Sequence, residues 1–79
     1  MNIGFYGQIA TPFGGSAEIG VPDDGISVSE LRQILSERFE TDNILQRSVR
    51  AAVNDEIVLE SHRVLPGDRV EFMSPVSGG

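Results

Sequence analysis

Apolar and polar positions alternate from the first residues. Ile3, Phe5, Gly7 and Ile9 fall on one side and Asn2, Gly4, Tyr6 and Gln8 on the other, the period of two expected of a half-buried strand. A strand over residues 2–9 is predicted, with Tyr6 on its outer face. Thr11-Pro12-Phe13-Gly14-Gly15 breaks the pattern. Ala17, Ile19 and Val21, alternating with Ser16, Glu18 and Gly20, predict a second strand and a hairpin. Pro22-Asp23-Asp24-Gly25 ends it as a turn. The period then changes: Val28, Leu31, Ile34, Leu35 and Phe39 share one face at helical spacing. Ser27-Val28-Ser29-Glu30 has the form of a capping box, with Ile26 and Leu31 placed for a hydrophobic staple. Thr41-Asp42-Asn43 closes the helix, and a poorly patterned stretch runs to Gln46. Val49, Ala51 and Val53 open a third strand, Asn54-Asp55-Glu56 is a turn, and Ile57-Val58-Leu59 resumes extended chain. After the turn Leu65-Pro66-Gly67-Asp68, residues 69–73 form the last strand, with Val70 and Phe72 inward and Met73 outward.

The order is therefore strand, strand, helix, strand, short strand, strand. One helix has to cover one face of the sheet, since a strand face that is apolar must be buried against another layer. The expected class is α+β, a mixed sheet with one helix packed on one face, and the β-grasp (ubiquitin-like) arrangement fits the order. In it the first and last strands lie side by side and parallel, which makes Tyr6 and Met73 neighbours on the face away from the helix. Two outward apolar side chains there suggest a docking surface.

Size and charge narrow the function. A chain of 79 residues with no cysteine holds one small core and cannot be stapled by disulfides. Twelve acidic residues against six basic ones, all arginine, give a net charge of -6, so nucleic acid and anionic membranes are poor partners. No apolar run approaches the roughly 20 residues of a spanning helix. The start lacks the basic end and long apolar run of a signal peptide, and the cytoplasm is the expected compartment.

Little in the body of the chain carries chemistry. There is one histidine and no lysine or cysteine, which removes thiol nucleophiles, Schiff bases and clustered metal ligands. Ser61-His62 is adjacent in sequence, but a triad needs convergence in space, and His62 is expected to be a solvated loop residue. Asp23-Asp24 and Asp55-Glu56 sit in turns, where acidic residues are ordinary. Gly14-Gly15 lacks the Gly-Lys-Ser/Thr ending of a phosphate loop. The end is different. A strand leads directly into Ser74-Pro75-Val76-Ser77-Gly78-Gly79, which cannot be a sheet interior. Residues 1–73 are expected to form the domain and 74–79 a flexible tail. Pro75 stiffens the exit, and two residues without side chains can thread a narrow channel and present the α-carboxyl of Gly79 to another protein.

At this point the chain resembles a known family, the sulfur-carrying small subunits of molybdopterin synthase, within the ubiquitin-like sulfur-carrier superfamily. The similarity runs end to end. It is carried by Leu31-Arg32-Gln33, by Ala51-Ala52-Val53-Asn54, and by Pro66-Gly67-Asp68 through Phe72 to Pro75-Val76-Ser77-Gly78-Gly79. The resemblance implies a sulfur carrier in molybdenum cofactor biosynthesis, with no active site of its own and no bound cofactor. A ubiquitin-activating-enzyme-like adenylyltransferase would adenylate Gly79 with ATP, and sulfur would then be carried covalently there as a thiocarboxylate. The molybdopterin synthase large subunit would receive it and supply the pocket for cyclic pyranopterin monophosphate. By motif, the partner-binding positions are Tyr6, Ile57 and Met73, and the tail is Pro75, Val76, Ser77 and Gly78.

The sequence departs from that family at three places. Ala10-Thr11-Pro12-Phe13 stands where an Arg-Glu-Leu type segment is common, Ser74 where a proline is, and Met73 where an aromatic is. Two other functions share the fold and the ending: a thiamine-pathway sulfur carrier, which usually lacks the Pro-Val-Ser lead-in, and a ubiquitin-like interaction or modifier module without sulfur transfer. The absence of lysine argues against a modifier that forms chains on itself.

Overall fold

The computed structural model describes residues 1–74. Its elements are β1 (Asn2–Tyr6), α1 (Ala10–Phe13), β2 (Ser16–Glu18), β3 (Ile26–Ser27), α2 (Val28–Phe39), β4 (Arg50–Val53), β5 (Glu56–Val58), β6 (Arg63–Val64) and β7 (Val70–Met73), with 3-10 turns at Gly7–Ile9 and Asn43–Leu45. Five strands form one sheet in the order β2-β1-β7-β4-β5, and β3 pairs with β6 in a separate ladder. The first and last strands are parallel, with Ile3 opposite Val70, Phe5 opposite Phe72 and Tyr6 opposite Met73. The other pairings are antiparallel. This is the α+β, β-grasp arrangement that the order of elements implied.

The pleat sorts the side chains. Ile3 and Phe5 of β1, Val70 and Phe72 of β7, and Ala51 and Val53 of β4 are buried in one cluster with Val28, Leu31 and Leu35 of α2. Phe5 stacks on Phe13 with ring centroids 4.1 Å apart, and Phe39 meets Phe13 edge-on at 4.8 Å. The capping box forms as read: the Glu30 N–H donates to Ser27 Oγ at 3.1 Å and the Ser27 N–H to Glu30 Oε1 at 3.2 Å. Two more first-turn donors are met from the segment before β6, Val28 N–H by the His62 carbonyl and Ser29 N–H by the Glu60 carbonyl, both at 3.0 Å. Nearly every orphan donor of that helix end thus has an acceptor. The helix stops at Phe39, where Glu40 takes the left-handed conformation (φ 53°).

Several expectations need correction. The first strand ends at Tyr6 rather than at residue 9, because Gly7 turns to φ 82° and the chain coils through the 3-10 turn into α1. Ile9 is still buried: helical turns bring it inward together with Phe13, four residues on. Gly14, left-handed at φ 65°, caps α1, so part of the supposed breaker is helical. The second strand stops at Glu18, short of Val21. The stretch before β4 hides a core residue, Ile44. The β3–β6 ladder was not foreseen at all.

Nor was Arg32. Its side chain is buried and donates to the carbonyls of Ile44 at 2.7 Å and Val49 at 2.6 Å and to Glu60 Oε2 at 2.9 Å. Nε stands 2.7 Å from Glu60 Oε1, and the guanidinium lies 5.2 Å from the centre of the Phe72 ring. This one side chain ties the irregular 44–49 segment and the β5–β6 connection to α2.

Candidate functional site

The outer face of the sheet carries the residues singled out as partner-binding. β1 presents Tyr6 there, 54% exposed, and β5 presents Ile57, 57% exposed. Met73, half-buried at the end of β7, stands opposite Tyr6 on one side and Arg50 of β4 on the other. Ile57 stands opposite Ala52, which in turn faces Glu71. Ile57 and Met73 line one open depression with Ser48, Arg50 and Ser74. Three residues distant in sequence therefore share one face at the point where the last strand ends. Pro75, Val76, Ser77, Gly78 and Gly79 lie outside the described residues.

Tyr6 is held in place. A Cβ built on Gly4 would come within 3.4 Å of the Tyr6 ring and 3.6 Å of its hydroxyl and of Glu71 Cγ, so the ring lies over the bare backbone of Gly4 and reaches toward Glu71. The neighbouring Glu71 carboxylate, as hydrogen-bond acceptor and as negative charge, raises the pKa of the Tyr6 hydroxyl above its ordinary value.

Ser74 closes the last strand against the first. Its N–H donates to the Tyr6 carbonyl at 3.0 Å. Its Oγ accepts from the Ile9 N–H at 3.1 Å and donates to the Tyr6 carbonyl at 3.2 Å. Gly7 makes room for this, since a Cβ there would strike Ser74 Oγ. Ser74, Gly7, Ser48 and Arg50 were missed as site residues because no local pattern marks them; the parallel pairing of β1 with β7 brings Gly7 to Ser74, and the antiparallel pairing of β4 with β7 brings Arg50, and Ser48 before it, to Met73.

The turn before β5 is equally constrained. Asn54 and Asp55 both take positive φ, 52° and 71°, as a two-residue hairpin turn requires. The Asn54 side chain accepts from the Arg69 N–H and donates to Asp68, each at 3.0 Å. Asp68 also accepts from the Leu65 N–H at 2.9 Å, and these bonds hold its carboxyl below the ordinary range, the Leu65 bond most. This lattice sets the position of β5, and with it Ile57, relative to β7.

His62 is exposed, and its backbone bonds to Leu59 and Val28; among the described residues no side-chain hydrogen bond joins it to Ser61 or to an acid as a triad would require. Among the described residues no cluster of three or more His, Cys, Asp or Glu side chains could hold a metal ion, and no helix is long and apolar enough to cross a membrane. The geometry on the outer face suits protein docking.

A family model described as the ThiS family matches residues 3–79. The chain belongs to the ThiS family. It is a ubiquitin-like sulfur carrier of that type. Its fold is shared by SAMP1 from Haloferax volcanii, with a TM-score of 0.80 at 17% identity over 99% of this chain and 97% of that one. A Pyrococcus furiosus protein given as molybdopterin converting factor, subunit 1, superposes with a TM-score of 0.76 at 22% identity over 95% of each chain. A third match, at 25% identity and a TM-score of 0.66 over 99% of this chain and 96% of that one, comes from the Helicobacter pylori complex of subunits 1 and 2 of molybdopterin-converting factor.

Proposed function

We propose that this ThiS-family chain serves molybdenum cofactor biosynthesis as the sulfur-carrying small subunit of molybdopterin synthase, with Gly79 as the working residue. The observation that carries this reading is the placement of Tyr6, Met73 and Ile57 on one outer face at the end of β7, immediately before Pro75-Val76-Ser77-Gly78-Gly79 in the sequence. The Helicobacter pylori relative, whose structure is a complex with subunit 2, supports a large-subunit partner.

On this reading the Gly79 carboxylate attacks the α-phosphate of ATP on a ubiquitin-activating-enzyme-like adenylyltransferase, and pyrophosphate leaves. The terminal sulfur of a persulfide attacks the acyl carbon and AMP departs. A thiol then reduces the acyl disulfide and frees the thiocarboxylate. Thiolate-like sulfur is a soft nucleophile and suits attack on carbons of cyclic pyranopterin monophosphate in the large subunit, which supplies the acid–base groups. This chain contributes docking and the sulfur, with no resident cofactor.

A thiamine-pathway sulfur carrier, which shares the fold and the Gly-Gly ending, is the second reading. The deciding experiment is the intact mass of the protein isolated from its native cells. A fraction heavier by the difference between sulfur and oxygen, absent after deletion of Gly79, is the expected result; a single species of unmodified mass overturns sulfur carriage. Transfer to cyclic pyranopterin monophosphate by the large subunit separates the two pathways.

A further inference from the structure

The chain has six arginines as its only strongly basic side chains, and four of them are engaged within the fold. Arg32 pairs with Glu60, Arg69 with Asp55, Arg63 donates to the Asp24 carbonyl at 3.0 Å and Arg38 to the Glu18 carbonyl at 3.5 Å. Arg47 and Arg50, both exposed, make no side-chain hydrogen bond or ion pair among the described residues. These two line the same groove. It measures about 400 Å3 and runs between the 3-10 turn at Asn43–Leu45 and β5, with Leu45, Ala51, Val58 and Leu59 as its apolar walls. Leu59 is 78% exposed and Leu45 37% exposed.

Among the described residues, this acidic molecule sets the two arginines that make no side-chain bond beside two exposed leucines. We propose that this groove docks an acidic segment of a partner protein, its carboxylates paired with Arg47 and Arg50 and an apolar side chain laid across Leu45 and Leu59. Guanidinium forks match carboxylates in two-point geometry, while a free anion would engage the arginines and leave the leucines wet. A nucleic acid would meet the net charge of -6. Arg50 also lines the Ile57–Met73 depression, so the groove extends the outer-face docking surface around the edge of the sheet. Arg32, buried and paired with the exposed carboxylate of Glu60, forms the groove's floor and leaves Arg47 and Arg50 to answer the partner. The choice of partner rests on the function proposed above: the acidic segment belongs to the large subunit, the partner that the Helicobacter pylori complex supports, and the adenylyltransferase is the comparison.

The test measures binding of the full chain to each of those two proteins from the same organism, at low and at high salt. In the parent, affinity for the large subunit falls as salt rises, since exposed charge pairs are screened. Arg47→Glu/Arg50→Glu lowers that affinity about tenfold or more at low salt and flattens the salt dependence, because charges at an interface steer and select partners. Arg47→Gln/Arg50→Gln gives a smaller loss, and Leu59→Asp a loss of its own, with melting temperatures unchanged for all. Equal affinities of parent and variants for the large subunit overturn the proposal, as does a loss confined to the adenylyltransferase. So does a loss confined to self-association in the ultracentrifuge, which assigns the groove to a second copy, or one confined to binding of inorganic phosphate. If the parent binds neither protein while the heavier mass species is present, the groove proposal falls alone; if that species is also missing, both readings fall.

Discussion

Glu30 and Asp68 show at the residue level how acid bears on this fold. Backbone and side-chain bonds from Ser27 hold the Glu30 carboxyl below its usual range, and the Leu65 N–H does the same for Asp68. Both carboxylates bind protons less readily folded than unfolded. Their contribution is therefore present above the unfolded carboxylate values near 4 and is lost as pH falls through the lower folded ones. The melting temperature is expected to hold from pH 7 to about pH 5 and to fall below about pH 4. Glu30→Gln/Asp68→Asn lowers it at neutral pH and makes the acid decline shallower; an equally steep decline would show that other groups govern it. Ser27→Ala costs about 1 kcal/mol, read as a drop of about 5 °C. Arg32 matters more. Arg32→Ala strands the buried carbonyls of Ile44 and Val49 and leaves Glu60 without its partner, a loss of about 3 kcal/mol in urea unfolding. Arg32→Lys recovers only part of it, because an ammonium cannot fork across separate acceptors.

Among the elements, β1 and its continuation are the instructive case. Alternation assigned Ile9 to the core, and it is buried, yet along a 3-10 turn and not a strand. A period of two over eight residues and the i, i+4 pair Ile9–Phe13 both place Ile9 inward, and the local pattern does not choose between them. The choice falls to Gly7. With φ at 82° and Ser74 Oγ packed where a Cβ would be, it is the one residue that lets the chain leave the sheet there. Gly7→Ala is expected to destabilise by more than about 1 kcal/mol. Combined with Ser74→Ala, which removes the clashing hydroxyl, the loss should be less than the sum of the two single variants. Strict additivity in a double-mutant cycle would mean the two residues do not meet. The capping box, by contrast, was legible to the residue, because all its partners lie within one turn.

The whole molecule joins its two ends. Pairing β1 with β7 in parallel is a contact between the first and last strands of the chain, and it builds the outer face from residues that share no local motif. Met73→Asp places a charge in the middle of that face without entering the core. It is expected to weaken binding to both proposed partners about tenfold or more while leaving the melting temperature within a few degrees, as measured by calorimetric titration and thermal unfolding. Unchanged affinity for both would remove Met73 from the docking surface. Ile57 was placed on that face by resemblance and Tyr6 and Met73 by alternation as well; the register of β4 with β5 and β7 is what brings the three within one patch.

Periodicity, turn chemistry and the capping signature by themselves determined the helix, the five strands of the main sheet to within a few residues and the inward residues of each, because those properties depend on neighbours a few residues apart. Tertiary structure decided the burial of Arg32, the β3–β6 ladder and the Gly7–Ser74 contact. Each of those joins segments far apart in sequence, where the energy comes from a partner that no local window contains.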